Sequence, residues 1–259
     1  EQKISIQLGN PGKLSKLLNK NVIFDFRSND LSFGGQGAPL APIYHKYIIE
    51  QSSLSLPTCI LNIGGVSNIT FWDGNKLIGF DTGPGNCLID KFVQEKLGID
   101  FDENGKFAYS GNINFSKLKI LLDDDYFKQD YPKSLDKNYF NKYLNLFKDA
   151  KIEDTIATLS LFTVKTIALE ISKFKIKPQT CVISGGGAKN NFIMENLINY
   201  SDSKIFSATN LGINPDTIEA EMICYLTARR IKQLPITFPT TTGVVKPSIG
   251  GEVINYKEI

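Results

Sequence analysis

Apolar positions along the chain recur with two periods, alternate residues in some stretches and helical spacing in others, and the switches between them mark out the elements. Ile4-Ser5-Ile6-Gln7-Leu8 alternates and predicts a first strand, with Gly9-Asn10-Pro11-Gly12 turning out of it. A short helix over Lys13 to Leu18 leads to a second strand, Val22-Ile23-Phe24-Asp25-Phe26. Gly34-Gly35-Gln36-Gly37-Ala38-Pro39 is too rich in glycine to be anything but loop. A helix from Pro42 to Glu50 follows, and Ser52 to Pro57 is the expected domain boundary.

The next stretch is the most informative. Cys59 to Ile63 reads as a buried strand, Gly64-Gly65 as a tight turn and Ser67 to Trp72 as a second strand. Asp73-Gly74-Asn75 is a hairpin signal, and Lys76 to Phe80 a third strand. After Asp81-Thr82-Gly83-Pro84-Gly85, Asn86 is placed to N-cap a helix that Gly98 would stop. Residues 99–150 are polar, with an acidic run at Asp123-Asp124-Asp125, and predict an insertion with short helices. Ile156, Leu159, Phe162, Ile167 and Ile171 give Thr155 to Phe174 the pattern of a long amphipathic helix. Cys181-Val182-Ile183 is a strand running into Ser184-Gly185-Gly186-Gly187-Ala188; a helix (Phe192 to Asn199), a strand (Lys204 to Ala208) and a helix (Asp216 to Lys232) follow. The order from Cys59 is thus βββα, a helix, then βαβα. Apart from the insertion and one added helix, it resembles a ribonuclease-H-like domain, the unit that sugar kinases, actin and Hsp70 use twice. The expected fold class is α/β, an actin/sugar-kinase fold. Residues 56–259 would form one near-complete domain with an insertion at about 99–150, and residues 1–55 a partial N-terminal domain with an uncovered sheet edge.

Composition narrows the classes of function. Apolar residues make up 42% and charged residues 22% of the 259, which excludes fibrous and disordered chains. A net charge of +2 argues against a nucleic-acid partner. Cys59, Cys87, Cys181 and Cys224 lie far apart, which suits a reducing cytosol and excludes a C-x-x-C metal or redox pair. A single histidine, His45, excludes a His-rich metal site. No apolar run is expected to span a membrane, and Glu1-Gln2-Lys3 does not open a secretory signal. The expectation is a cytoplasmic chain without a membrane partner.

Several loops carry residues suited to chemistry. In Asn62-Ile63-Gly64-Gly65-Val66-Ser67-Asn68, glycines let backbone N–H groups approach an anion and asparagines supply donors and acceptors; a plain glycine-rich hairpin is the alternative. Asp81 closes the third expected strand beside a loop and a helix start, where a carboxylate serves either as general base or as a partner for turn amides. Ser184-Gly185-Gly186-Gly187-Ala188 sits between strand and helix, where backbone packs against a nucleotide, but is neither a dinucleotide fingerprint nor a P-loop. Asp216 and Glu219 fit a capping box without any ligand. His45, between Tyr44 and Tyr47, reads as a packed, hydrogen-bonded histidine. Arg27 and Lys133 are suited to phosphate, with surface or ion-paired roles as the ordinary alternative.

Taken together these segments resemble the anhydro-N-acetylmuramic acid kinase family. The matching stretches are Gln7-Leu8-Gly9-Asn10, Asp25-Phe26-Arg27 with Asp30, Gly34 to Leu40, Leu61 to Thr70, and Gly79 to Asn86. Pro132-Lys133-Ser134, Ala157-Thr158-Leu159, Ser184 to Ala188 with Asn190, Glu219-Ala220 and Thr242-Gly243 continue the match over essentially the whole chain. The resemblance implies an enzyme that uses ATP and Mg²⁺ to phosphorylate O6 of 1,6-anhydro-N-acetylmuramic acid while water opens the anhydro ring. The product would be N-acetylmuramic acid 6-phosphate, an intermediate of cell-wall recycling. By the same likeness Asp81 is the general base. Arg27, Asp30, Asn62, Gly64, Gly65, Asn68 and Glu219 hold the sugar or the transferred phosphate. Gly83, Gly85, Asn86, Gly185, Gly186 and Gly187 lie at the nucleotide. No metal ligand is assigned, and a homodimer is compatible with the resemblance.

The sequence departs from the family in two places. The family's glycine-, serine- and threonine-rich phosphate loop, of the Gly-Thr-Ser-x-Asp-Gly type, has no counterpart, as though the chain started on the order of 100 residues late, about a domain's worth. After Lys133-Ser134, Leu135-Asp136-Lys137-Asn138 replaces Thr-Gly-Arg-Glu. The expectation is therefore a kinase impaired on its own. It would be either half of a split enzyme whose separate N-terminal chain carries the phosphate loop, or a non-catalytic remnant. A nucleotide-binding oxidoreductase, suggested only by the triple glycine, is opposed by the βββα start.

Overall fold

The structure, a computed structural model, describes residues 4–214 and 217–258. In chain order its elements are α1 (Pro11–Leu18), β1 (Val22–Phe24), α2 (Ser28–Ser32), α3 (Pro42–Gln51), β2 (Thr58–Ile63), β3 (Val66–Trp72), β4 (Leu77–Pro84) and α4 (Cys87–Leu97). They continue with α5 (Lys106–Ser110), α6 (Phe115–Leu122), α7 (Ile152–Ser172), β5 (Thr180–Ser184), α8 (Asn191–Tyr200), β6 (Lys204–Ser207), α9 (Ile218–Ile231) and β7 (Glu252–Ile254).

Strands β2 to β6 form a mixed sheet in the order β4-β3-β2-β5-β6. The first three pair antiparallel as consecutive hairpins, and β5 and β6 add parallel to β2. This is the ribonuclease-H-like arrangement expected from the sequence. The β3–β4 turn forms because Asp73 Oδ1 accepts the N–H groups of Asn75 and Lys76 at 2.9 and 2.7 Å, and Gly74 takes φ +95°. A parallel neighbour needs a long crossover, and the stretch from α4 through α7 supplies it.

Strand alternation sorts side chains onto two faces. Leu61, Ile63, Ile69, Ile78, Phe80 and Ile183 point into the main core, closed by Leu88, Leu118, Ile156, Phe162 and Ile193 from the helices. Each such side chain withdrawn from water contributes about 1.5–3 kcal/mol, so this layer dominates the stability. By length and composition α7 is apolar enough to cross a membrane, which the sequence reading overlooked, yet 78% of its apolar window is buried inside the protein. It is the central core helix. On the other face Ile60, Trp72, Leu77 and Val182 meet Ile43 and Ile49 of α3 and Leu226 of α9.

The outer edge of β4 is covered rather than bare. Gly79 N–H donates to Thr240 C=O at 3.1 Å, Asp81 N–H donates to Lys133 C=O at 3.0 Å, and the Thr240 hydroxyl donates to Leu77 C=O.

The N-terminal unit is thinner. β1 pairs antiparallel with β7, from Val22↔Ile254 to Phe24↔Glu252, so it draws a strand from the far end of the chain across the expected boundary. α1 packs against this pair, started by Asn10 Oδ1 accepting Lys13 N–H at 2.8 Å and stopped by Asn19 at φ 51°. β1 ends at Phe24 because Asp25 takes φ +50° and its Oδ1 accepts Ser28 N–H at 3.0 Å.

Three expectations are corrected. Ile4 to Leu8 is not a strand: no strand among the described residues pairs with it, so its backbone lacks the partner that alternation requires, and Leu8 is 98% exposed. Asn86 precedes α4 but its side chain does not cap it, donating instead to Ile63 C=O at 3.3 Å. The strand bearing Asp81 does not end there but runs to Pro84. Gly98 does stop α4, at φ 68°. The expected Asp216 cap lies outside the described residues; Thr217 occupies the cap position, and its hydroxyl donates to Glu221, not Glu219, at 2.6 Å.

Candidate active site

Neighbouring strands each contribute one polar side chain to a single row across the sheet. The register pairs Ser184 with Asn62, Asn62 with Asn68, and Asn68 with Asp81. These positions alternate onto the same face as Ile60, Trp72, Leu77 and Val182, one step beyond the apolar rows. There the face opens into a cleft of about 390 Å³ whose floor is this polar row. Arg27 and Glu219 also line it, together with Tyr44, His45 and apolar Pro39, Leu40 and Met222. Neither the Arg27 nor the Glu219 side chain has an ion-pair or hydrogen-bond partner among the described residues.

A bulge lies immediately after the acid. Thr82 is an extra residue in β4, because Asn68 faces Asp81 while Ser67 faces Gly83. Its hydroxyl is turned inward and donates to Ser67 C=O at 3.2 Å. Bulges break a ladder and re-aim its side chains; here the regular pairing is interrupted at Thr82, one residue past Asp81, and resumes at Gly83.

Asp81 is fixed from outside the sheet. Beyond its N–H bond to Lys133, its carbonyl accepts the Tyr126 hydroxyl at 2.6 Å and its Oδ2 accepts Leu135 N–H at 2.8 Å. Burial pushes the carboxyl up to about 6, partly offset by the Leu135 N–H. At neutral pH the group is ionised yet more basic than an ordinary aspartate. His45 behaves in the opposite sense. Burial lowers it to about 4, and its Nδ1 lies 2.8 Å from Thr70 Oγ1, so the ring is neutral and packed as expected.

A second cleft of about 390 Å³ lies beside the first, lined by Asn86, Asp90, Asp102, Gly186, Lys189 and Asn190. Gly185 faces the first cleft and Gly186 the second. Gly185 takes φ +80°, and a Cβ there would lie 2.5 Å from Asn62 Oδ1 and 2.7 Å from Ile63 C=O. Only glycine lets the turn after β5 come this close to the polar row.

The anhydro-N-acetylmuramic acid kinase family matches this chain over residues 1–256. The anhydro-N-acetylmuramic acid kinase of Phenylobacterium zucineum is 40% identical over 96% of this chain and 68% of its own length. That of Caulobacter vibrioides is 41% identical over 96% of this chain and 67% of its own. The chain belongs to the anhydro-N-acetylmuramic acid kinase family. It spans about two thirds of the length of these curated relatives. Among solved structures, the activator of 2-hydroxyisocaproyl-CoA dehydratase from Clostridium difficile with bound ADPNP aligns over 70% of this chain and 64% of that one, at 16% identity and a TM-score of 0.43.

Of the residues that the likeness to these kinases singles out, Arg27, Asn62, Asn68, Asp81, Gly185 and Glu219 share the first cleft, and Asn86 and Gly186 the second. The others stand elsewhere. Asp30 is buried beneath the 34–37 loop, where its carboxylate accepts the Thr242 hydroxyl at 2.6 Å and Gly37 N–H at 2.7 Å. Gly64 and Gly65 form the β2–β3 turn, and their carbonyls accept the N–H groups of Gly85, Asn86 and Cys87 at 2.8–3.1 Å. Those amides are therefore occupied. Gly83, Gly85 and Gly187 pack against Thr166, Gly64 C=O and Ile63 respectively, leaving no room for a side chain.

Ser184 was missed as a site position, although strand alternation past Val182 puts it on the face of Asn62. Tyr126 and Leu135 were missed as well. Their stretch carries no periodic signal, and its contact with Asp81 spans 45 and 54 residues.

Proposed function

We propose that this chain acts as an ATP-dependent kinase on 1,6-anhydro-N-acetylmuramic acid, with Asp81 as its general base. The observation that carries the reading is Asp81. It stands at the end of a polar row on a cleft floor, ionised at neutral pH, raised in basicity by burial and fixed at three atoms. Asp81 takes a proton from water as the water oxygen bonds to C1, the C1–O6 bond breaks, and O6 receives the γ-phosphoryl group of ATP as the bond from Pγ to the β–γ bridging oxygen breaks and ADP leaves. Asn62, Asn68 and Ser184 supply side-chain donors and acceptors to the sugar hydroxyls and the moving phosphoryl. The Arg27 and Glu219 side chains, both without partners, orient the sugar from the cleft mouth.

ATP is assigned to the second cleft, where Asn86 and Gly186 face it, with Gly185 as the wall towards Asp81. Among the described residues no three His, Cys, Asp or Glu side chains gather as a metal site. The oxygens of Asn62, Asn68, Asp81 and Ser184 are hard donors that suit Mg²⁺ carried mainly on phosphates, with few protein ligands. Bound that way, the ion would neutralise phosphate charge during transfer. Cytoplasmic operation follows from the need for ATP and suits the free cysteines.

Asp81→Asn tests the reading, since it keeps the size of the side chain and removes the base. The assay follows phosphorylation of the anhydro sugar with a segment carrying the family's phosphate loop supplied by fusion or as a second chain. Loss of a general base lowers the rate about 10²–10⁴-fold. An unchanged rate at an unchanged thermal midpoint would return Asp81 to the role of turn residue.

A further inference from the structure

We propose that Lys133 is a positioning residue for Asp81: its buried ammonium gathers the 126–135 segment so that the Leu135 N–H meets the carboxylate. The proposal deepens the reading of Asp81 as base and rests on it for its catalytic meaning.

Lys133 is 3% exposed, and its Nζ donates to Glu170 Oε1 at 2.9 Å, Tyr126 C=O at 3.1 Å and Gln129 C=O at 3.2 Å. An ammonium has three donors, so all are in use and none is left for a phosphate. Glu170 of α7 is 1% exposed and also accepts Lys173 Nζ at 2.8 Å, while the same Nζ donates to Phe127 C=O. One carboxylate in the core thus fastens two lysines, and the two lysines hold three carbonyls of residues 126–129.

A buried ion pair of this kind is weak support for stability, because apolar side chains of similar volume often do as well. Its placement gives it another use. The carbonyl of Lys133 itself accepts Asp81 N–H, and Tyr126, whose carbonyl Lys133 holds, gives its hydroxyl to the Asp81 carbonyl. Two residues further on, Leu135 N–H reaches Asp81 Oδ2. Each of these three bonds to the acid therefore comes from a segment drawn in by one ammonium. The 126–135 stretch has little regular structure of its own beyond a single 3-10 turn at Asp125–Lys128; near Leu135 its backbone is otherwise held only at Pro132 C=O, which accepts Gln36 Nε2, and at Lys133 C=O, which accepts Asp81 N–H, among the described residues.

The test is NMR on the full chain, following the Leu135 amide and the Asp81 side-chain carboxyl through a pH titration. In the unsubstituted protein the Leu135 amide should report the ionisation of the carboxylate it bonds. The variant is Lys133→Met with Glu170→Met, which removes both buried charges; Lys173 loses Glu170 but is 27% exposed, so water reaches its ammonium, and it keeps its bond to Phe127 C=O. Lys133→Arg is the conservative companion. The expected result is a folded double variant with a cooperative thermal transition, in which Asp81 still titrates but Leu135 no longer follows it. Lys133→Arg should restore at least part of the response. A Leu135 amide that tracks Asp81 with full amplitude in the double variant overturns the proposal. That outcome is independent of the Asp81→Asn rate measurement: a lost Leu135 response beside an unaffected rate would reject the base and keep the positioning.

Discussion

The two sheets of the molecule differ in how much they withdraw from water. In β2 and β4 all but one residue of each strand is buried, whereas β1 has none buried and β7 is mostly exposed. Around the β1/β7 pair, Ile6, Leu8 and Leu17 face solvent. The first cleft is built on this contrast. Its floor and acid belong to the heavily packed sheet, while Phe26 and Arg27 of its wall follow directly on the thin one. Among the bonds that join the units are Gln36 Nε2 to Pro132 C=O at 3.3 Å, Gln36 N–H to Thr242 C=O at 2.9 Å, and the Asp30–Thr242 contact. The candidate base thus stands on the closely packed side of the cleft, and Arg27 on a segment that adjoins the thinner pair.

Phe80→Ala should show the largest effect on stability, a loss of about 3–5 kcal/mol in urea unfolding, because Phe80 is wholly enclosed between the sheet and the insertion. A loss below about 1 kcal/mol would break the contrast. Asp30→Ala attacks the joint instead, removing two bonds to a buried carboxylate; a loss of about 2–4 kcal/mol follows from charge-assisted bonds of about 1.5–3 kcal/mol each, partly relieved by water.

The third test uses pH. His45 refuses below its ordinary value a proton that the unfolded chain accepts, so its contribution to stability is lost as pH falls from about 6.5 towards about 4. Asp81 retains a proton that the unfolded chain releases, so its contribution is lost as pH rises from near 4 to about 6. The two slopes oppose each other over the same window. Urea midpoints should therefore rise with pH more steeply in Asp81→Asn and fall with pH in His45→Gln; parallel profiles in all three proteins would show that neither group is shifted. The smallest effect belongs to Leu8→Ala, within about 0.5 kcal/mol, as for an exposed site without packing.

The alternation of Cys59 to Phe80 and the turn chemistry at Asp73-Gly74 made the three-strand start legible, and the periodicity around Phe162 located α7. Asp81, Asn62 and Asn68 were legible as candidates, but not as members of one row, because a row is a property of register between strands up to 122 residues apart. The support of Asp81 was hidden for a related reason. Leu135 acts through its backbone N–H, which any residue but proline could supply, so side-chain identity carries no signal. Ile4 to Leu8 misled because alternation records a tendency to pair and is silent about whether a partner stands alongside.

The covered edge of β4 has a consequence for assembly. An outermost strand normally offers its free N–H and C=O groups as a template on which another polypeptide can build, the first step towards fibrous aggregates. Here Lys133 and Thr240 already occupy the outward amides of Asp81 and Gly79. A strand arriving from a second molecule would have to displace both, and in doing so would unseat the acid. The contacts that hold the candidate base thus also shield this edge of the sheet from recruitment by another chain.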